Sequence, residues 1–184
     1  MKPLLTAMSC MALLCACASR RPDHFYILSV QPPGASEART APATQVALRV
    51  TLPSLVDRSE MILNTTANGI TVLEHERWAA PLADLVTQTL GRDLERRRSD
   101  VLVAPGVGRS GVTLTVDLVQ VWVRKGERAS IEAHWRILDT RTGGDTVGSG
   151  VFSAPVAQDD YAAVPQALSE CLGLLADRLV GQLR

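Results

Sequence analysis

The sequence has few aromatic residues, no net charge and no apolar run long enough to cross a bilayer. Phe, Trp and Tyr make up only 4% of its 184 residues, and 19 Lys and Arg balance 19 Asp and Glu. Nucleic-acid binders carry a clear basic excess, so that class is excluded, as is a polybasic membrane-surface mode as the main activity. The mostly apolar run from Leu4 to Ala16 falls short of the roughly 20 residues that a spanning helix needs. The four cysteines form no disulfide framework: Cys10, Cys15 and Cys17 crowd the start and Cys171 stands alone. One domain fits this length.

Catalytic signatures are missing too. His24, His75 and His134 have no second His or Cys at ligand spacing, so a zinc site lacks donors. Glu74-His75-Glu76 reads as a solvated loop, and His134 falls on the polar face of a strand. No nucleophile elbow and no P-loop is present. Gly106-Val107-Gly108-Arg109-Ser110-Gly111 matches the dinucleotide fingerprint in letters, but Val112–Val116 after it is a strand, whereas that fingerprint opens a helix. It reads as a turn. Asp159-Asp160 precedes a helix and suits its free amides. An enzyme is disfavoured, and neither cofactor nor metal is expected.

The amino terminus carries the clearest signal. Lys2 followed by the apolar run fits an export signal over residues 1–16. Leu14-Cys15-Ala16-Cys17 resembles the bacterial lipobox, with an aliphatic residue three places before the cysteine and a small one just before it. Cys17 satisfies both conditions; Cys15, preceded by bulky Leu14, does not. Cys17 is therefore the expected lipidated residue, with 17–22 a lipidated tether and 23–184 a single domain. Ala18 stands where inner-membrane retention calls for aspartate, which points to the periplasmic face of the outer membrane. Cys171, on an apolar helical stripe, reads as a small core residue.

Hydrophobic periodicity predicts the elements of that domain. Asp23–Val30 reads as a first strand and 31–44 as a connection. Val46–Leu52 alternates as a strand that Pro53 stops. Short strands over Met61–Leu63 and Ile70–Glu74 flank an Asn68-Gly69 turn. Pro81–Arg98 has one apolar helical stripe, and Arg96-Arg97-Arg98 at its end reads as a solvated cluster suited to the helix dipole. After a short buried strand over Asp100–Ala104, the apolar phase of Val112–Val123 switches near Leu118-Val119, which predicts a bulge. Ser130–Ile137 alternates strictly, Lys125-Gly126-Glu127 turns the chain, and a third strand runs around Val147–Ser153. A helix with Leu168, Leu172, Leu175, Leu179 and Leu183 on one stripe closes the chain, with Pro165 in its first turn. The order of elements predicts an α/β sheet covered by helices. Trp122 reads as core, with an exposed partner-facing role as the alternative.

Taken in order, several segments resemble the ABC-type transport auxiliary lipoprotein family. They are Phe25-Tyr26-Ile27-Leu28; Leu52-Pro53-Ser54-Leu55-Val56-Asp57-Arg58; Trp78-Ala79-Ala80-Pro81-Leu82; and Asp159-Asp160-Tyr161. They span about Asp23 to Leu183. Val56 interrupts the family's usual leucine-aspartate pair, and Ser59 stands where a proline commonly follows the arginine.

The resemblance implies an α/β three-layer sandwich with a mixed sheet and two main helices, similar to the amino-terminal domain of the Tol-system propeller protein. It implies a docking role, without catalysis, beside Mce-domain and ABC permease components that move lipids between the two membranes, with assembly into a homo-oligomer as a further implication. Tyr26, Leu28, Leu52, Pro53, Asp57, Arg58, Trp78, Pro81, Leu82 and Tyr161 are then the partner or motif residues. A structural role is open for the same residues: Trp78 and Leu82 would fasten the helix to the sheet, and Asp57–Arg58 would be a local ion pair shaping a turn. The alternative function is a general envelope protein-binding or assembly lipoprotein.

Overall fold

A computed structural model describes residues 21–32, 44–105, 111–157 and 160–183. Cys17, the connection over 33–43, the turn over 106–110 and Asp159 lie outside the described residues. The elements run β1 (His24–Tyr26), β2 (Thr44–Thr51), β3 (Glu60–Asn64), β4 (Ile70–Trp78), α1 (Leu82–Arg97), β5 (Val101–Pro105), β6 (Val112–Arg124), β7 (Arg128–Asp139), β8 (Gly144–Pro155) and α2 (Ala163–Val180).

Five strands form a mixed sheet in the order β5-β2-β6-β7-β8. β2 is parallel to both β5 and β6, while β6, β7 and β8 are an antiparallel meander. Alternation decides which face is covered. Val112, Leu114, Val116 and Leu118 of β6 and Ile131, Ala133, Trp135 and Ile137 of β7 are buried, on the face where both helices pack. Leu90 and Leu94 of α1 and Leu172, Leu175 and Leu179 of α2 complete that core. The register shifts between Leu118 and Gln120, leaving Val119 exposed and returning Val123 to the buried face. The phase switch in the sequence is this bulge. Gly126 and Gly143 close the two hairpins at φ of 76° and 72°, where a side chain would be strained.

The single mixed sheet expected from the sequence is in fact two. Pro53 ends β2, and its carbonyl gathers the amides of Val56 and Asp57 at 3.0 and 3.1 Å. The β3–β4 hairpin that follows pairs with β1, not β2, giving a three-stranded sheet β1-β4-β3 with β1 parallel and β3 antiparallel to β4. This small sheet packs beside the distal half of β6, where the Asn64 carboxamide accepts the Val123 amide at 2.9 Å. The outer face of the large sheet carries no third layer among the described residues: Val147 is 73% exposed and Val151 67%.

Three local expectations change as well. The first strand shortens to His24–Tyr26 because the chain beyond it leaves the sheet for the helices: Ser29 donates its amide to Ser169 Oγ and Gln31 to Asp93 Oδ1. Glu74-His75-Glu76 lies within β4, not in a loop. Two of the three clustered arginines are engaged, while Arg96 is exposed as the solvated reading has it. Arg97 bonds Asp93 and Asp177, while Arg98 bonds Asp100 and the Leu183 carbonyl, tying the end of α1 to α2.

Candidate functional site

The ten motif residues converge on one corner, where the small sheet meets the helix layer. Tyr26 and Trp78 are register partners on β1 and β4, and the Tyr26 carbonyl accepts the Ala79 amide at 2.8 Å. That bond sets the chain's exit from β4 into α1. Trp78 is 4% exposed, and its amide donates to the Ser59 carbonyl at 2.7 Å. Leu28, Leu52 and Leu82 meet Val86, Leu118 and Leu172 around a small apolar gap. Trp78 and Leu82 therefore fasten helix to sheets, as the structural alternative has it.

Asp57 and Arg58 are not paired with each other. α1 starts after Pro81, a residue whose side chain can cap nothing, so its first amides need an acceptor from elsewhere. Asp57 Oδ1 supplies one, accepting the Ala83 amide at 3.0 Å, and its charge suits the positive end of the helix dipole. The Pro81 carbonyl takes the Asp84 and Leu85 amides. Arg58 instead bonds Glu60 at 2.9 Å. Asp57→Ala should cost about 1 kcal/mol of stability by urea denaturation, with Asp57→Asn recovering most of it. An unchanged midpoint in the alanine variant would remove Asp57 from this role.

Glu76 reads in the sequence as part of a solvated loop, and nothing local marks its partners. It accepts the Tyr26 hydroxyl at 2.6 Å and faces His24 Nδ1 at 3.2 Å. Burial, then Glu76, pushes the Tyr26 hydroxyl pKa up, so Tyr26 stays a neutral donor. Tyr161 lies in the same region, lining a cleft of about 400 Å³ with His24 and Glu76, and Lys125 Nζ sits 4.0 Å above its ring. Asp160 Oδ1 accepts the Ala162 amide at 2.9 Å just ahead of α2. Trp122 is half-buried under the Arg124 guanidinium, 5.0 Å from the ring centroid, between the two roles weighed for it.

Asp93 is a second unmarked residue. It is wholly buried on α1, taking the Gln31 amide at 2.8 Å and Arg97 at 3.1 Å, while its Oδ2 has no partner. Burial raises its pKa against the opposing pull of Gln31 and Arg97. The folded chain then holds this proton more tightly than the unfolded one. The stabilisation is full below 3.8 and is lost as pH rises through the elevated folded value. Across a urea series from acid to neutral pH, wild type should lose stability relative to Asp93→Asn; parallel curves would contradict the shift.

Cys171 is fully buried, its thiol against the Ala129 carbonyl at 3.6 Å, and burial pushes its pKa up to about 12. It is an inert core thiol. Among the described residues no group of three His, Cys, Asp or Glu is placed to hold a metal. Two larger clefts lie elsewhere. One of about 850 Å³ opens at the sheet end between Asp139, Arg141 and Gln182; another, of about 510 Å³, lies on the outer sheet face beside Asp117, His134 and Val147. Neither contains a motif residue.

These features define a small α/β sandwich whose recognisable residues build a joint. Two solved structures share the fold. One, described only as an uncharacterized protein, has a TM-score of 0.74 at 15% identity over 89% of this chain and 100% of its own. The other, a protein from Xanthomonas campestris, has a TM-score of 0.70 at 19% identity over 86% and 93%. No curated protein matches the chain. The chain belongs to the family of ABC-type transport auxiliary lipoprotein components, whose model matches residues 26–180. Among the described residues no helix is long and apolar enough to cross a membrane.

Proposed function

We propose that the chain is an outer-membrane-anchored periplasmic lipoprotein that acts, without catalysis, as the auxiliary component of an Mce-type, ABC-linked intermembrane lipid transport system. Family membership over residues 26–180 is the observation that carries this reading. In it, residues 1–16 are removed, Cys17 carries the acyl chains and 17–22 tether the domain of 23–184. Ala18 supports the outer-membrane destination.

The arrangement of the site favours docking over chemistry. Tyr26 and Asp57 use their side-chain polar groups on a neighbouring strand and on a helix start. Mce-domain and permease components are the partners in this reading, with several copies of the chain able to stand side by side. The likeness to the amino-terminal domain of the Tol-system propeller protein belongs to the same reading. Loss of the gene should shift the distribution of labelled phospholipid between inner and outer membranes and raise detergent sensitivity, both restored by the wild-type gene. An unaltered lipid distribution in the deletion strain would defeat the transport role.

A further inference from the structure

The segment nearest the expected anchor presents two large apolar side chains that the fold leaves uncovered. Phe25 is 63% exposed and Ile27 62%, while Tyr26 is half-buried and Leu28 is 8% exposed. Alternation explains the split: successive residues of an extended chain point to opposite sides. His24 and Tyr26 turn together toward Glu76. Phe25 and Ile27 point the other way. Among the described residues β1 is an edge strand, paired with β4 alone.

Position supplies the occupant. Phe25 lies eight residue steps beyond Cys17, a contour of at most roughly 28 Å when fully extended. That tether is long enough for β1 to reach the interfacial zone, roughly 5–8 Å thick on each side of the bilayer, and short enough to keep β1 within about one bilayer thickness of it. Arg20 and Arg21 precede Phe25 on the anchor side, beyond Pro22, Asp23 and His24, and cations in that place favour anionic headgroups. An exposed aromatic-aliphatic pair with two arginines on its anchor side suits the chemistry of the headgroup and acyl boundary.

We propose that Phe25 and Ile27 seat in the lipid interface of the anchoring membrane, so that the domain is held in a fixed orientation rather than hanging from a free tether. The inference rests on the reading of Cys17 as the acylated residue. It gives the anchor a second contact and directs the far end of the β7–β8 ribbon, with Val147, away from the bilayer.

The test uses the full acylated chain with Ile27→Cys, labelled with a polarity-sensitive nitrobenzoxadiazole dye. Buried Cys171 does not compete for the label. In vesicles of phosphatidylethanolamine with a minority of phosphatidylglycerol, the Ile27 label should emit to the blue of a Val147→Cys label and be quenched by brominated acyl chains. Water-like emission at both positions, from a chain that floats with vesicles through Cys17, would overturn the inference alone. Flotation that persists in Cys17→Ser would instead overturn the anchor reading beneath it. Blue-shifted emission from the Ile27 label on a Cys10→Ser, Cys15→Ser, Cys17→Ser chain without vesicles would mean that the protein itself or a second copy covers Phe25 and Ile27, which also overturns it.

Discussion

Replacing Trp78 by alanine should lower the unfolding free energy by about 3–5 kcal/mol, the range expected when a buried indole is truncated and its cavity cannot collapse. Against a total of about 5–15 kcal/mol for a domain of ordinary stability, that is a large fraction. The cavity would open where three parts of the fold meet. Trp78 ends β4, and its surroundings include Leu82 of α1, Val121 and Val123 of β6, and Val164 and Leu168 of α2. No single neighbour can move in without leaving another contact. Trp78→Phe, which keeps most of the apolar volume, should recover more than half of the loss. The check is urea denaturation followed by far-ultraviolet circular dichroism. A loss below about 1 kcal/mol for Trp78→Ala would mean that the small sheet is not held through this residue.

Cys17→Ser should abolish acyl labelling and move the chain from the membrane fraction to the soluble one. Each buried methylene contributes about 0.8 kcal/mol, so several acyl chains on one cysteine amount to near-permanent attachment. Among the described residues no helix is long and apolar enough to cross a membrane. Phe25 and Ile27 are too few to hold the domain alone, although they would orient it. Metabolic labelling with a palmitate analogue, followed by fractionation, reads both effects together. Unchanged labelling in Cys17→Ser would move the modification to another cysteine, with Cys15 first in line by position.

Much of the fold was legible in the sequence because its signals are local. The bulge at Val119, the turn at Gly126 and the stripes of both helices follow from periodicity and turn chemistry within a few residues. The division into two sheets was not legible. It depends on β1 pairing with β4 some fifty residues away, as His24 does with Glu76, and no short-range pattern records that choice. The engagement of Arg97 is hidden in the sequence for the same reason: Asp177, which it bonds, is 80 residues distant. The sequence leaves the motif residues open between a partner-facing and a structural role. Trp78 and Leu82 pack helix against sheet, whereas Asp57 reaches past Arg58 to the backbone of a helix that begins with proline. Glu76, which the sequence reads as loop, and Asp93, which it does not single out, each matter through partners that only folding brings near.

The most direct measurement is crosslinking in intact cells, with photoreactive side chains placed on the outer sheet face at Val147 and Val151, followed by purification from native membranes and identification of the captured proteins. Capture of an Mce-domain or permease component, dependent on Cys17, is the predicted result. Capture confined to an envelope scaffold or assembly protein, with no transporter component, would contradict the transport role and favour a general protein-binding lipoprotein on the same fold.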